Sequence, residues 1–478
     1  MRRIGERAVV IGGSMGGLVA ARVLADAYER VTVVDRDRLP AGPAHRKAVP
    51  QGRHAHAVIA GGRAALEELF PGLSGEIEAL GAPVGDAQTK VRWFHLGGRL
   101  AQAPCGLRGL NVSRPLLEDR VRARVRALGN VEVIDRADVL GLSASEDGSR
   151  VTGIRLIRGR DGSAEERLAA DLVVDAGGRG SRTPRWLEEL GYPAPAEEAV
   201  RVDVTYATRT FRARPEAIGG DVAIVVCATP ETPRLGVLIA LEDDRWIVSL
   251  AGYRGERAPL DLDGFLGYAA RLTNPDLVEA LRGAEPLDDG ATHRFPASVR
   301  RRYDRLRRFP DGLLVFGDAL SSFNPIYGQG MTVAAREALA LRRCLRSGPG
   351  RLPRRFFRAA AREVDAAWKI VMGSDLRIPA VEGARPLPVR VMNAYIAGLL
   401  RCAQGDAGLA EAFLRVAYLV DRPERLLRPG VALRVLARRL GGSGAPTAGP
   451  AGAQPAEAQT GPGLVIPAGS ARARTRPR

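Results

Sequence analysis

The sequence predicts an α/β fold with an inserted antiparallel sheet and a helical C-terminal segment, and three stretches carry that prediction. Residues 7–37 read strand, helix, strand in "RAVVIGG", "GGLVAARVLADAY" and "RVTVVDRD", a βαβ opening. Residues 200–253 switch to long alternating runs, "RVDVTYATRTFRA", "DVAIVVCA", "RLGVLIALE" and "RWIVSLAGY", separated by turn residues as in an antiparallel sheet. From 346 to 440 apolar residues recur at helical spacing.

The remaining elements follow in order. "HAVIAGGRAALEELF" reads as a helix and "VRWFHLGGRLAQ" as a hairpin. Ser113 caps "RPLLEDRVRARVRAL", with Pro115 in the first turn and Leu116, Leu117, Val121, Val125 and Leu128 on one face. "VEVI", "VTGIRLIRG" and "ADLVVDAGG" are strands; "LDGFLGYAARL" and "PDLVEALRGA" are helices. "DGLLVF" is a strand that runs into the loop "GDALSSFNPIYGQGM" and the helix "TVAAREALALRRCL". The expected division is 1–185 with 296–345, an inserted 186–295, a helical 346–440, and a Gly/Pro/Ala tail at 441–478 that has no core to bury and reads as disordered.

Composition removes several function classes. The chain has 478 residues, enough for two or three domains. Its 71 basic and 54 acidic residues give +17, which invites a nucleic-acid reading. The positive charge is nearly all arginine spread through every segment; Lys47, Lys90 and Lys369 are the only lysines. No basic stripe is interleaved with aromatics for stacking on bases, so no nucleic acid is expected. Cys105, Cys227, Cys344 and Cys402 form no CxxC pattern, which points to a reducing, cytoplasmic setting without disulfides or a zinc site. No run of about 18 apolar residues occurs, so no transmembrane segment is expected. The basic start before "AVVIGGSMGGLVAARVLA" imitates a signal peptide, but its glycines fall at phosphate-loop spacing.

That loop is the first chemical motif. On the G-x-G-x-x-G template Gly12 makes the tight turn, Ser14 replaces the middle glycine where a pyrophosphate approaches, and Gly17 permits close helix–strand packing. Asp35 ends the second strand 18 residues after Gly17 (35 − 17), where a ribose hydroxyl needs an acceptor. A dinucleotide is implied.

The segments "AVVIGGSMGGLVAARVLA", "VTVVDRDRLPAGPAHRKAVPQGRHAHAV", "SRPLLEDRVR", "ADLVVDAGGRGSR" and "DGLLVFGDALSSFNPIYGQGM" resemble class A flavoprotein monooxygenases of the para-hydroxybenzoate hydroxylase and squalene epoxidase type. Within them, the nearest resemblance is to the flavin-dependent epoxidases of polyether-antibiotic biosynthesis. The resemblance implies a Rossmann-like FAD-binding domain of glutathione-reductase type, with a substrate domain in the inserted sheet. It implies that Asp318 accepts from the flavin ribityl hydroxyls and that Pro325 lies beside the isoalloxazine. It also implies that Gly328 and Gly330 admit the ring, and that Met331 begins a helix whose N–H groups face the N1/C2 carbonyl edge. Arg46 and Arg114 resemble the family's diphosphate contacts, and Val133 and Ala137 its adenine-contacting strand. The family's Asp-Gly-x-x-Ser signature is altered in "DAGGRGSR", where Asp175 precedes Gly177, Gly178 and Ser181. Electrons therefore come from NAD(P)H bound directly or from a partner flavin reductase.

The implied activity is insertion of one atom of O2, by epoxidation or hydroxylation, into a hydrophobic secondary metabolite such as a polyene or polyketide, through a flavin C4a-hydroperoxide. No catalytic side chain is required of the protein, because the cofactor carries the chemistry. The substrate pocket is expected between the flavin and the 186–295 sheet; segment 346–440 either covers it or packs as ordinary core. His54 and His56 in "GRHAHA" lack further ligands nearby, and no metal is expected. Same-fold alternatives are halogenases, whose G-W-x-W-x-I-P signature is absent, and double-bond reductases or dehydrogenases, whose Tyr/Trp motif before Phe-Pro-Lys is also absent. A non-catalytic flavin-binding or membrane-docking protein is the alternative from another class.

Overall fold

A computed structural model describes residues 3–159 and 164–440. The tail expected to be disordered lies outside the described residues.

The βαβ opening forms as strand Gly5–Ile11, helix Met15–Ala25 and strand Tyr28–Val34. These strands belong to a five-stranded parallel sheet in the order Leu313–Val315, Leu172–Asp175, Gly5–Ile11, Tyr28–Val34, Val131–Ile134. Val10 pairs with Val33 on one side and Val174 on the other, and all three are fully buried. A parallel sheet covered on both faces needs such continuous apolar strands. This strand order brings the two glycine loops together. Gly5–Ile11 and Leu313–Val315 flank the same central strand, so the loops leave the same edge of the sheet. The helices that follow, Met15–Ala25 and Gly330–Arg346, pack side by side. A Cβ on Gly317 would lie 3.9 Å from the Cα of Gly16.

The second sheet has eight strands in the order Ser321–Ser322, Ala291–Arg301, Glu197–Arg212, Arg245–Tyr253, Arg234–Leu241, Ala223–Val226, Val91–His95, Gly98–Arg99. It is antiparallel except where Val91–His95 runs parallel to Ala223–Val226. The hairpin predicted at 91–102 forms, and it extends the far edge of this sheet. A three-stranded sheet, Ala137–Ala144, Val151–Arg158 and Glu166–Ala169, stands apart; only its middle strand was expected from the sequence.

Ser113 caps helix Arg114–Arg126 by accepting the Leu116 N–H at 3.3 Å, as its residue type predicts. The C-terminal segment forms helices Leu352–Asp375, Leu387–Ala403, Ala407–Ala417 and Pro429–Leu440. The first of them buries Phe356, Phe357, Ala360, Val364, Ala367 and Val371 in one helical stripe against Gly330–Arg346. Among the described residues no helix is long and apolar enough to cross a membrane.

Candidate active site

Steric demands fix the first loop. Gly12 has φ +101°, and a Cβ there would meet the Ala176 carbonyl oxygen at 2.6 Å. A Cβ on Gly17 would lie 1.7 Å from the Gly12 carbonyl oxygen, so the turn and the helix close on each other only without side chains. The first intrahelical bond runs from Leu18 N–H to Ser14 C=O at 2.9 Å. The amides of residues 15–17 therefore face out of the helix end, where an anion is favoured.

Around this helix end the arginines predicted to meet a diphosphate converge on one carboxylate. Arg46 pairs with Glu118 at 2.6 Å and Asp35 at 2.7 Å, while Arg114 reaches the same Glu118 at 3.1 Å. Ser14 Oγ donates to Glu118 at 2.9 Å and accepts from Arg114 at 2.8 Å. Burial works to raise the Glu118 pKa, but Arg114 and Arg46 outweigh it and hold the group ionised. Asp35 accepts from the amides of Gly13 at 2.6 Å and Asp37 at 2.7 Å besides its pair with Arg46. Of its roughly four acceptor positions about one is left for a ribose hydroxyl. Val133 pairs with Val33 on the edge strand and is half-buried.

The second loop begins with Gly317 at φ +62°, whose N–H donates to Glu337 at 2.8 Å. Asp318 follows. Among the described residues its carboxylate has no hydrogen bond or ion pair, and it is open to the cleft. It nevertheless lies deep among protein atoms: that desolvation raises its pKa, against lowering by Arg114 and Arg179. Pro325–Tyr327 form a short 3-10 turn, Gly328 takes φ +64°, and the long helix starts at Gly330, whose Cβ position is 3.9 Å from Asp318 Oδ1. Arg114 Nη1 lies 3.4 Å from Met331 Sδ and ties the two loops together. Asp175, in the altered signature, is occupied by the amide of Gly177 and the hydroxyls of Ser181 and Thr183. Arg179 from the same signature stacks over Phe295 at 4.5 Å and lies close to Asp318.

This donor set fits FAD. Helix-end amides and arginines suit a diphosphate, a free carboxylate suits polyol hydroxyls, and side-chain-free positions at Gly328 and Gly330 leave room for a flat ring. Asp35 fits less well than the sequence implied, because its partners are already within the protein.

Beyond Pro325–Gln329 opens a cavity of about 1420 Å³. Its walls come from the eight-stranded sheet (Val225, Val237, Ile239), from the 54–57 segment and from the C-terminal helices (Ile396, Leu400, Phe413). The C-terminal segment thus covers the cavity as well as packing in the core. The histidines facing it are neutral near pH 7. Burial first, then neighbouring positive groups, lowers His54 to about 3 and His56 to about 4; burial and Arg377 lower His95 to about 3. His54 and His56 lie on extended backbone after a 3-10 turn, not on a helix. His54 Nδ1 is 2.7 Å from Thr208 Oγ1, and His56 Nδ1 is 2.8 Å from the His54 carbonyl oxygen.

Sequence reasoning missed a buried polar cluster between this cavity and the second loop. Asp375 Oδ1 accepts from Tyr253, Tyr327 and Asn324, each at 2.9 Å, and Tyr206 donates to Asn324 at 3.1 Å. Burial raises Asp375 to about 6, against these hydrogen bonds and Arg377. No sequence spacing marks the cluster, since its members come from four separate segments. Glu118 carried one signal, its position four residues after Arg114 on a predicted helix.

Fold and site define an α/β protein of dinucleotide-binding type whose two glycine loops lie at the same end of the parallel sheet. The FAD binding domain family matches residues 6–347. Protein Rv3254 of Mycobacterium tuberculosis (strain ATCC 25618 / H37Rv) is 38% identical over 429 residues, covering 87% of this chain and 90% of its own length. The 6-methylpretetramide 4-monooxygenase of Streptomyces rimosus is 28% identical over 431 residues, 84% of this chain and 92% of that protein. Among solved structures, the flavin-dependent brominase Bmp2 superimposes with a TM-score of 0.65 at 14% identity, over 91% of this chain and 98% of that one, a likeness of fold. The chain belongs to the FAD binding domain family and is an FAD-dependent oxidoreductase of the class A flavoprotein monooxygenase superfamily.

Proposed function

We propose that this protein inserts one oxygen atom from O2 into a hydrophobic secondary metabolite of polyene or polyketide type, by epoxidation or hydroxylation. The observation that carries the reading is the cavity of about 1420 Å³ opening onto Pro325–Gln329. It exceeds the roughly 300–1,000 Å³ of ordinary small-molecule sites. The relative that acts on 6-methylpretetramide supports a substrate of this kind, and the sequence resemblance to polyether epoxidases supports epoxidation.

In this reading residues 1–185 and 296–345 bind FAD, residues 186–295 supply the substrate wall and residues 346–440 close it. When bound, FAD supplies the activation of O2 and the oxygen transfer. The chain's own groups bind and shield. Asp318 accepts from ribityl hydroxyls, Arg46 and Arg114 neutralise the diphosphate, and the Gly330 helix end favours negative charge at the ring's carbonyl edge. Phe323 is nearly fully buried beside Pro325 and helps exclude water. The neutral histidines position groups by hydrogen bonding. The electron source is NAD(P)H bound directly or a partner reductase.

The test uses FAD-loaded protein, a reductant, labelled O2 and a polyketide panel. One labelled oxygen atom in product supports the proposal. Saturation of a double bond without label would assign a same-fold reductase, and label arriving only from water would refute oxygen transfer. Reduction by NAD(P)H alone, compared with reduction by an added flavin reductase, separates the two electron routes.

A further inference from the structure

The cavity's charged rim contains one residue unlike the others. Lys369 is paired with Glu424 at 2.8 Å. Arg385 is saturated by main-chain carbonyls, those of Leu376 at 2.9 Å, Gly383 at 3.1 Å, Ile378 at 3.0 Å and Val381 at 2.6 Å. Arg390 and Arg401 are exposed. Arg377 is half-buried and lines the cavity, and among the described residues its guanidinium has no hydrogen bond or ion pair. A half-buried guanidinium without a protein acceptor leaves its donors to solvent or to an anion that enters the cavity.

The segment holding Arg377 is rigidly built. It follows helix Leu352–Asp375 directly, and the Arg385 side chain staples its carbonyls from Leu376 to Gly383. Leu376, Ile378 and Val381 pack against Val202, Val204, Tyr253 and Phe295 of the eight-stranded sheet. The charge of Arg377 is felt at His95, Cys227, Tyr327 and Asp375, which surround it from the sheet, the second loop and its own helix. None of these supplies a close counterion. The histidine is neutral, burial raises the thiol to about 12, the tyrosine hydroxyl is held protonated by burial, and Asp375, though influenced by Arg377, forms no ion pair with it among the described residues.

We propose that Arg377 is the specificity-determining residue of the cavity and receives an anionic oxygen of the substrate, a carboxylate or an ionised phenol or enol, on an otherwise apolar skeleton. The proposal rests on reading the cavity as the substrate site, and it deepens that reading by naming the polar handle. A guanidinium presents paired donors that match a two-oxygen anion, which an amide of the same shape lacks.

The test is equilibrium binding to FAD-loaded protein, followed by calorimetry, so its outcome is independent of oxygen transfer. The probes are 2-naphthoate and its neutral isostere 2-naphthamide, with alizarin followed across its own ionisation for the phenol source. Wild-type protein is expected to prefer naphthoate, or ionised over neutral alizarin, by about tenfold or more. Arg377→Met should abolish the preference while leaving amide affinity unchanged, and Arg377→Lys should restore part of it. FAD content and melting temperature report whether each variant is folded. Equal binding of acid and amide by wild type together with indifference to alizarin ionisation, absence of binding included, overturns the proposal. So does a preference that survives Arg377→Met. The wild-type comparison stands even if a variant fails to fold, and labelled-oxygen incorporation separately reports the proposed reaction.

Discussion

Glu337 lies on helix Gly330–Arg346 with no solvent exposure, one oxygen accepting the Gly317 amide at 2.8 Å and the other without a partner. Burial, with smaller contributions from Asp318 and Glu363, raises its pKa from 4.5 to about 8 against the lowering by the Gly317 amide. Between those values the folded protein holds a proton that the unfolded chain has released. Stability therefore falls as pH rises from about 4.5 to about 8 and is level beyond. At 1.36 kcal/mol per pH unit the full loss is on the order of 4–5 kcal/mol. Glu337→Gln replaces the protonated acid by a neutral group of the same shape that still accepts from Gly317. It should be nearly neutral at about pH 5 and stabilising by several kcal/mol at about pH 9. Urea unfolding at saturating FAD across this range measures the difference. A gap between wild type and variant that stays constant with pH would refute the buried, protonated assignment.

Asp318→Ala should weaken FAD binding by about 10- to 150-fold, the equivalent of roughly 1.5–3 kcal/mol for hydrogen bonds to a charged group; unchanged retention in fluorescence titration would remove its role at the ribityl chain. Gly17→Ala should abolish FAD loading, because its Cβ would lie 1.7 Å from the Gly12 carbonyl oxygen, and a normally yellow purified variant would contradict the geometry. Glu118→Gln should free Arg46 and Arg114 from their shared carboxylate and tighten binding of the FAD diphosphate, with weakened affinity the opposing result in calorimetry. Asp375→Asn should lower melting temperature more at about pH 5 than at about pH 8, since burial raises the aspartate to about 6 and its protonated form stabilises the fold only until pH rises through that value; equal losses at both values would contradict its titration there.

Local rules were enough for much of this molecule. Gly12 and Gly17 are readable because a tight turn against a helix tolerates no Cβ, whatever surrounds it. Ser113 is readable because a helix start needs a side-chain acceptor, and the strands of 200–253 because alternation records a sheet with two unlike faces. The spacing of the Gly12 loop signalled a dinucleotide, and the family resemblance assigned the Asp318 loop to the same cofactor. What the sequence could not contain was which charges meet. Arg46 and Glu118 are 72 residues apart, and Asn324 and Asp375 are 51 apart. Their pairing depends on strand order and helix packing, which no local pattern encodes. For the same reason Asp35 looked free for a ribose and is instead held by Gly13, Asp37 and Arg46. Nothing local in "AAREALALRR" marks Glu337 as buried; packing of its helix among helices Met15–Ala25, Ala60–Leu69 and Leu352–Asp375 buries it. Arg377 is one arginine among many until folding places it unpaired on the cavity wall. Residue type and spacing determined the scaffold and pointed to a dinucleotide, because those rest on backbone sterics and periodicity, while FAD in particular was what the family resemblance implied. Tertiary contacts decided the electrostatics, because a charge's partner and its exposure are properties of the folded whole.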